Sequence, residues 1–211
     1  MEVIYILHKK ALKIFFIVCL SGIFIISLFF FIHNIRKNKA IEKNLLSKAD
    51  TIISGEVVNN KENDIESKEL ENESFSIEKL EEDDNIVGKI IINKINVVAP
   101  VMDGVDQDTL KMAVGHFIES SYWKGNVCLA SHNRGSYAHY FEKINALSIG
   151  DEIKYQTKLG TRIYVVTETK QISEEDLSVL DNTNENTITL ITCVKSKPEL
   201  RLCVKGIEKN M

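Results

Sequence analysis

With 211 residues the chain has room for one ordinary domain plus appendages, and its 44% apolar content is that of a globular protein only on average. A net charge of -4, from 30 acidic against 26 basic side chains, supplies no basic stripe to neutralise phosphates and sets nucleic-acid binding aside. The four cysteines, Cys19, Cys128, Cys193 and Cys203, contain no C-x-x-C pair and are too sparse for a disulfide-stapled scaffold, so each is read singly and no metal site is assigned.

In chain order the first element is apolar. Ile14 to Ile32 carries no charge and, at about 1.5 Å rise per residue, spans roughly 28 Å of hydrocarbon as a helix. Phe29, Phe30, Phe31 and Ile32 run directly into His33-Asn34-Ile35-Arg36-Lys37 with no small-x-small cleavage pattern, which predicts an uncleaved signal-anchor over 14–32, preceded by a short N-terminal segment, residues 1–13. Lys9, Lys10 and Lys13 on one flank are matched by Arg36, Lys37, Lys39 and Lys43 on the other, so charge alone does not orient it.

Residues 33–85 form the next segment. From about Ala40 it is poor in aromatics, lacks proline, and becomes densely acidic between Glu62 and Asp84. Such a stretch buries too little apolar surface to offset its ordering entropy and reads as a charged stalk, disordered or partly helical. An acidic cation-binding or docking arm is the functional alternative.

After Ile86 the texture changes to short β-rich runs: Val87–Ile92, Ile95–Val101, Asn126–His132, Asp151–Gln156, Arg162–Lys170, Thr187–Cys193 and Leu200–Ile207. Helical patterns are confined to Asp108–Val114 and Tyr137–Leu147, so residues 86–209 are expected to be mostly β, a barrel or sandwich. Cys128 falls inside a predicted strand and is read as buried packing. The run ending in Cys193, a connection containing Pro198, and the run through Arg201 read as adjacent strands that let Cys193 and Arg201 face each other. A guanidinium near a thiol favours the reactive thiolate and can hold charge developing on an attacked carbonyl oxygen. Of the histidines beyond the membrane flanks, His132 closes an apolar run and is the best-placed general acid/base. His139 lies in a polar stretch, and His116 follows Gly115 in an expected loop.

Thr189-Leu190-Ile191-Thr192-Cys193 followed by Arg201 resembles the T-L-x-T-C signature of sortases. Gly125-Asn126, a strand, then Ala130-Ser131-His132-Asn133-Arg134 is similar to the family segment that delivers its histidine. Ile91 to Ile95 with Pro100-Val101 and Gly104, and Gly150-Asp151, match further family positions, so the resemblance covers roughly Val87 to Lys209. Ser131 stands where glycine is usual and Asn93 where proline is common, and the pattern is nearest the class A or D members.

The resemblance implies a closed sortase-type β-barrel with short helices, preceded by one transmembrane helix and the acidic stalk. It implies a cysteine transpeptidase acting outside a Gram-positive-type cell, single-pass in the membrane, with no cofactor. Cys193 would be nucleophile, His132 general acid/base and Arg201 oxyanion stabiliser, with Thr192 assisting at the substrate. The implied partners are secreted proteins bearing a C-terminal L-P-x-T-G-like sorting signal, cleaved between Thr and Gly, and an amine on a peptidoglycan precursor or a pilin. Gln171 to Asn186, leading into the cysteine strand, is expected to shape substrate choice. Cys203 shares a strand face with Arg201, so a silencing disulfide to Cys193 is also considered. Two other classes compete: a non-catalytic anchored extracellular β-domain for sensing or adhesion, and a Cys/His hydrolase, in which the cysteine generally precedes the histidine, the reverse of the order here.

Overall fold

The computed structural model describes residues 2–55, 85–135 and 138–209. They fall into two compact units, Met1–Ile41 and Glu42–Met211. The first is part of a long helix, α1 (Glu2–Ser54), on which Leu20, Ile23, Phe24, Phe29, Phe30 and Phe31 are exposed. It is the one helix among the described residues long and apolar enough to cross a membrane, and so a candidate anchor. The stretch read as a stalk is helical as far as Ser54, and its acidic run from Glu62 to Asp84 lies outside the described residues. The last turns of α1 belong to the second unit, where Leu45 and Ala49 are buried and Asp50 pairs with Lys89.

Eight strands build the rest: β1 (Ile86–Ile92), β2 (Val97–Asp103), β3 (Val114–His116), β4 (Asn126–Ala130), β5 (Glu152–Thr157), β6 (Gly160–Ser173), β7 (Thr187–Val194) and β8 (Lys197–Glu208). They close in the order β1-β2-β3-β4-β7-β8-β6-β5, with β5 returning to β1, so the expected mostly-β barrel is what the chain forms. Pairing is antiparallel except β2 with β3 and β4 with β7. The alternation of Ile, Val and Leu along the strands sends Ile90, Ile92, Val127, Leu129, Ile188, Leu190 and Val204 into one interior cluster with Tyr155 and Tyr164.

Several local expectations are corrected. Ile95 is in a 3-10 turn, Asn93–Ile95, rather than a strand, because Asn96 takes a left-handed conformation at φ 56° and delays β2 to Val97. The helix expected over Asp108–Val114 shrinks to α2 (Gln107–Leu110). Asp106 caps it, its Oδ1 accepting from the N–H groups of Asp108 and Thr109 at 2.9 and 3.0 Å, and Val114 is claimed by pairing with Val101. Within the second predicted helix the described residues hold only a 3-10 turn, Ile144–Ala146. His116 is in β3, not in a loop, and is fully buried.

Candidate active site

β7 is where the chemistry-bearing residues converge. It lies between β4, parallel to it from Asn126↔Thr187 to Ala130↔Ile191, and β8, antiparallel to it with Cys193 directly opposite Arg201. β8 is in turn flanked by β6, which places Ile172 opposite Arg201. A tight connection through Lys195 and Ser196, the latter at φ 63°, turns β7 into β8, so Pro198 lies inside β8.

The two threonines of the cysteine motif act as brackets. Thr189 donates its hydroxyl to Asn126 Oδ1 at 2.8 Å, and Thr192 donates to the Ser131 carbonyl at 2.6 Å, locking β7 to the beginning and end of β4. Between them Leu190 enters the core and Ile191 faces outward to a cleft, and after them Cys193 is exposed. Asn126 is satisfied on every side-chain position: Oδ1 accepts from Thr187 and Thr189, and Nδ2 donates to the carbonyls of Val179 and Asp181 at 2.9 and 3.0 Å. It thereby ties the β6–β7 connection over the outer face of the sheet. Gly125 must be glycine there, since at φ 85° a Cβ would lie 1.8 Å from Asn182 Oδ1.

His132 lies two residues past the end of β4, a correction to the strand expected to carry it. Other bonds hold its loop. Ser131 N donates to Ile191 O at 3.3 Å, Ser131 Oγ donates to Ala138 O at 2.9 Å, Phe141 N donates to His132 O at 3.2 Å, and Asn133 Nδ2 donates to the carbonyl of Cys193. Ser131, the departure from glycine, is buried and closes the base of the loop.

His132, Thr192, Cys193 and Arg201 all line one cleft of about 350 Å³. Its walls are apolar on the side of Leu110, Phe117, Ile172, Leu177 and Leu180, and the β6–β7 connection supplies Glu174 and Asp176. Arg201 donates from Nη1 to the carbonyls of Pro198 and Leu200 at 2.6 and 3.0 Å, and from Nη2 to Glu174 Oε2 at 2.7 Å. A thiol, an imidazole and a guanidinium in a cleft with apolar walls can attack a peptide carbonyl, protonate the leaving amine and hold charge on the oxygen.

The remaining candidates fall elsewhere. His116 has Nδ1 3.0 Å from Asp103 Oδ1, Nε2 3.2 Å from both Ser120 Oγ and Ser121 O, and its ring 4.3 Å from that of Tyr122. Tyr122 donates to Asp103 Oδ2 at 3.0 Å, and burial with the Asp103 charge pushes its phenol up to about 12. His139 lies 3.5 Å from Glu142 and does not line the cleft. Cys128 and Cys203 are buried and free, and Cys193 is exposed and free. Cys203 pairs with Ile191, diagonal to Cys193 and not opposite it. Sequence reasoning passed over Glu174 and gave Asn133 and Ser131 no role, although both of the latter stand beside His132 in the motif quoted for it.

The class this defines is a closed eight-stranded barrel presenting a cysteine, a histidine and an arginine in one cleft. A family model described as a sortase domain matches residues 90–208. The chain belongs to the sortase family. It is 38% identical over 114 residues to sortase A of Listeria monocytogenes, covering 53% of this chain and 51% of that one. It is 29% identical over 109 residues to sortase D of Bacillus subtilis, covering 50% and 53%. The chain spans about half the length of these curated relatives. Among solved structures, a Clostridium perfringens sortase D5 transpeptidase superposes with a TM-score of 0.61 at 26% identity, over 81% of this chain and 99% of that one. The barrel is thus a sortase fold.

Proposed function

We propose that the protein is a membrane-anchored cysteine transpeptidase that cleaves an L-P-x-T-G-like sorting signal between Thr and Gly and joins the new carboxyl end to an amine. The observation that carries this reading is the β7–β8 register, which sets Cys193 opposite Arg201 in the cleft that His132 also lines, within a sortase chain. Cys193 Sγ, as thiolate, attacks the Thr carbonyl carbon, and Arg201 N–H groups hold the negative charge that develops on its oxygen. The C–N bond breaks, His132 protonates the departing amine, and a thioester remains on Cys193. The acceptor amine, on a peptidoglycan precursor or a pilin, attacks the thioester and gives its proton to His132. The C–S bond breaks and the thiolate returns. The Thr192 hydroxyl proton is spent on Ser131, so its part is to hold the substrate side of β7 against the His132 loop.

Residues 14–32 would be a single-pass anchor with 1–13 cytoplasmic, 33–85 the spacer, and 86–209 the extracytoplasmic catalytic domain. The exposed apolar face of α1 supports the anchor. The test is the full chain in detergent micelles with quenched fluorescent L-P-x-T-G variants, with and without an amine, beside Cys193→Ala. Cleavage with a ligated product, absent in Cys193→Ala, is the expected result. No cleavage of any variant by a protein whose Cys193 also resists a methanethiosulfonate would return the chain to a non-catalytic surface domain.

A further inference from the structure

We propose that Glu174 is a positioning residue for Arg201: its carboxylate fixes the guanidinium on the wall of the cleft, leaving unspent N–H groups for the carbonyl oxygen of the substrate. The proposal rests on the reading above, in which Arg201 stabilises charge on that oxygen.

Both residues are held by the sheet. Arg201 is the rung of β8 that pairs with Cys193 on one side and Ile172 on the other. Glu174 follows β6 at once, and its N–H donates to Glu199 O at 2.9 Å, extending the β6–β8 ladder by one more rung beyond Ser173↔Leu200. Alternation puts Glu174 on the same face as Ile172, the face that Arg201 shares, and all three line the cleft. The carboxylate thus comes from a backbone position fixed relative to Cys193, and it reaches Arg201 Nη2 at 2.7 Å. Asp176 steadies the chain beyond, accepting from Ser178 N at 3.1 Å and Ser178 Oγ at 2.6 Å.

A guanidinium has five N–H donors in a rigid plane. Pro198 O, Leu200 O and Glu174 Oε2 take three of them, which leaves Nε–H and one Nη2 proton. The two carbonyls lie on Arg201's own strand and fix the guanidinium only along it. Glu174 is the acceptor from the neighbouring strand, and it restricts the plane across the sheet. An arginine ordered before substrate arrives need not spend binding energy on rotamer loss in the transition state. The effect should therefore appear in turnover and not in affinity for the peptide.

The experiment measures steady-state and single-turnover release from a quenched fluorescent sorting-signal peptide by the full chain in micelles. It compares wild type, Glu174→Ala, Glu174→Gln, Arg201→Ala and the Glu174→Ala/Arg201→Ala double variant. Glu174→Ala is expected to lower kcat about tenfold with KM changed by less than about twofold. Glu174→Gln, which keeps an oxygen acceptor, should recover most of that loss. In the Arg201→Ala background, Glu174→Ala should change the single-turnover rate by less than about twofold, since its effect passes through the arginine. An unchanged or faster Glu174→Ala enzyme would overturn the proposal by making the carboxylate a competitor for Arg201. So would a loss confined to KM, or an equal loss in both backgrounds. If wild type itself releases no more peptide than Cys193→Ala, the transpeptidase reading fails and this inference falls with it. If Arg201→Ala is impaired and Glu174→Ala is not, only the inference fails.

Discussion

Cys193, Cys128 and Cys203 are chemically distinct because the sheet treats them differently. Cys193 projects into the cleft and is exposed, whereas burial pushes the Cys128 thiol up to about 12 and the Cys203 thiol up to about 11. Peptide-mapped alkylation of the native protein at about pH 8 should therefore modify Cys193 and spare the other two, which should label only after denaturation. Equal labelling of Cys203 would mean that the face beside Arg201 opens in solution. Ser131 offers a second test at this scale. Its buried hydroxyl is the side-chain link across the base of the His132 loop, so Ser131→Ala should cost about 1 kcal/mol in a urea titration and lower turnover more than peptide affinity. Retention of full turnover would show that the Asn133 bond to Cys193 O and the Phe141 bond to His132 O suffice to hold the loop.

At the scale of elements, the β6–β7 connection depends on Asn126. Four hydrogen bonds on one buried amide join β4, β7 and the carbonyls of Val179 and Asp181. Asn126→Ala leaves two carbonyls and two hydroxyls without these partners, and about 2–4 kcal/mol of stability should be lost. Limited proteolysis should then cut first within Glu174 to Asn186, and an uncut connection in a destabilised protein would contradict the pinning role. The long strands were legible because β-branched runs bounded by Gly, Asn and Asp leave few alternatives, and two such runs joined by a short connection are enough to set Cys193 against Arg201. β3 was not legible: three residues are too few for a period, and Val114 follows a helical pattern that the pairing with Val101 overrides. Glu174 was illegible for a different reason. In an acidic run it looks solvated, and only the β6–β8 register shows which acidic side chain meets the arginine.

For the whole molecule, closing the barrel buries thiols and phenols and thereby postpones their ionisation to higher pH than in the unfolded chain. Burial raises Cys128, Cys203 and Tyr164, to about 12, 11 and 12, above ordinary values of 9.0 for thiols and 10.0 for phenols, and raises Tyr155 further in the same direction. Each is an acid whose folded pKa is higher than its unfolded one, so the unfolded chain releases the proton first. The neutral folded form is fully favoured below the unfolded pKa, and its advantage declines as pH rises from about 9 towards 11 or 12. Each group ionised only in the unfolded chain lowers stability by about 1.4 kcal/mol per pH unit in that window, and the two thiols begin before the phenols. Urea midpoints of the full chain in micelles should thus be nearly level from pH 7 to about 8.5 and fall with increasing slope above about 9. Replacing Cys128 by Ala should flatten the first part of that fall, because the early loss belongs to the thiols. If the slope is the same in Cys128→Ala, ionisation of Cys128 does not drive the early alkaline loss, and the outer face of β4 is open enough to water for its thiol to titrate in the folded protein.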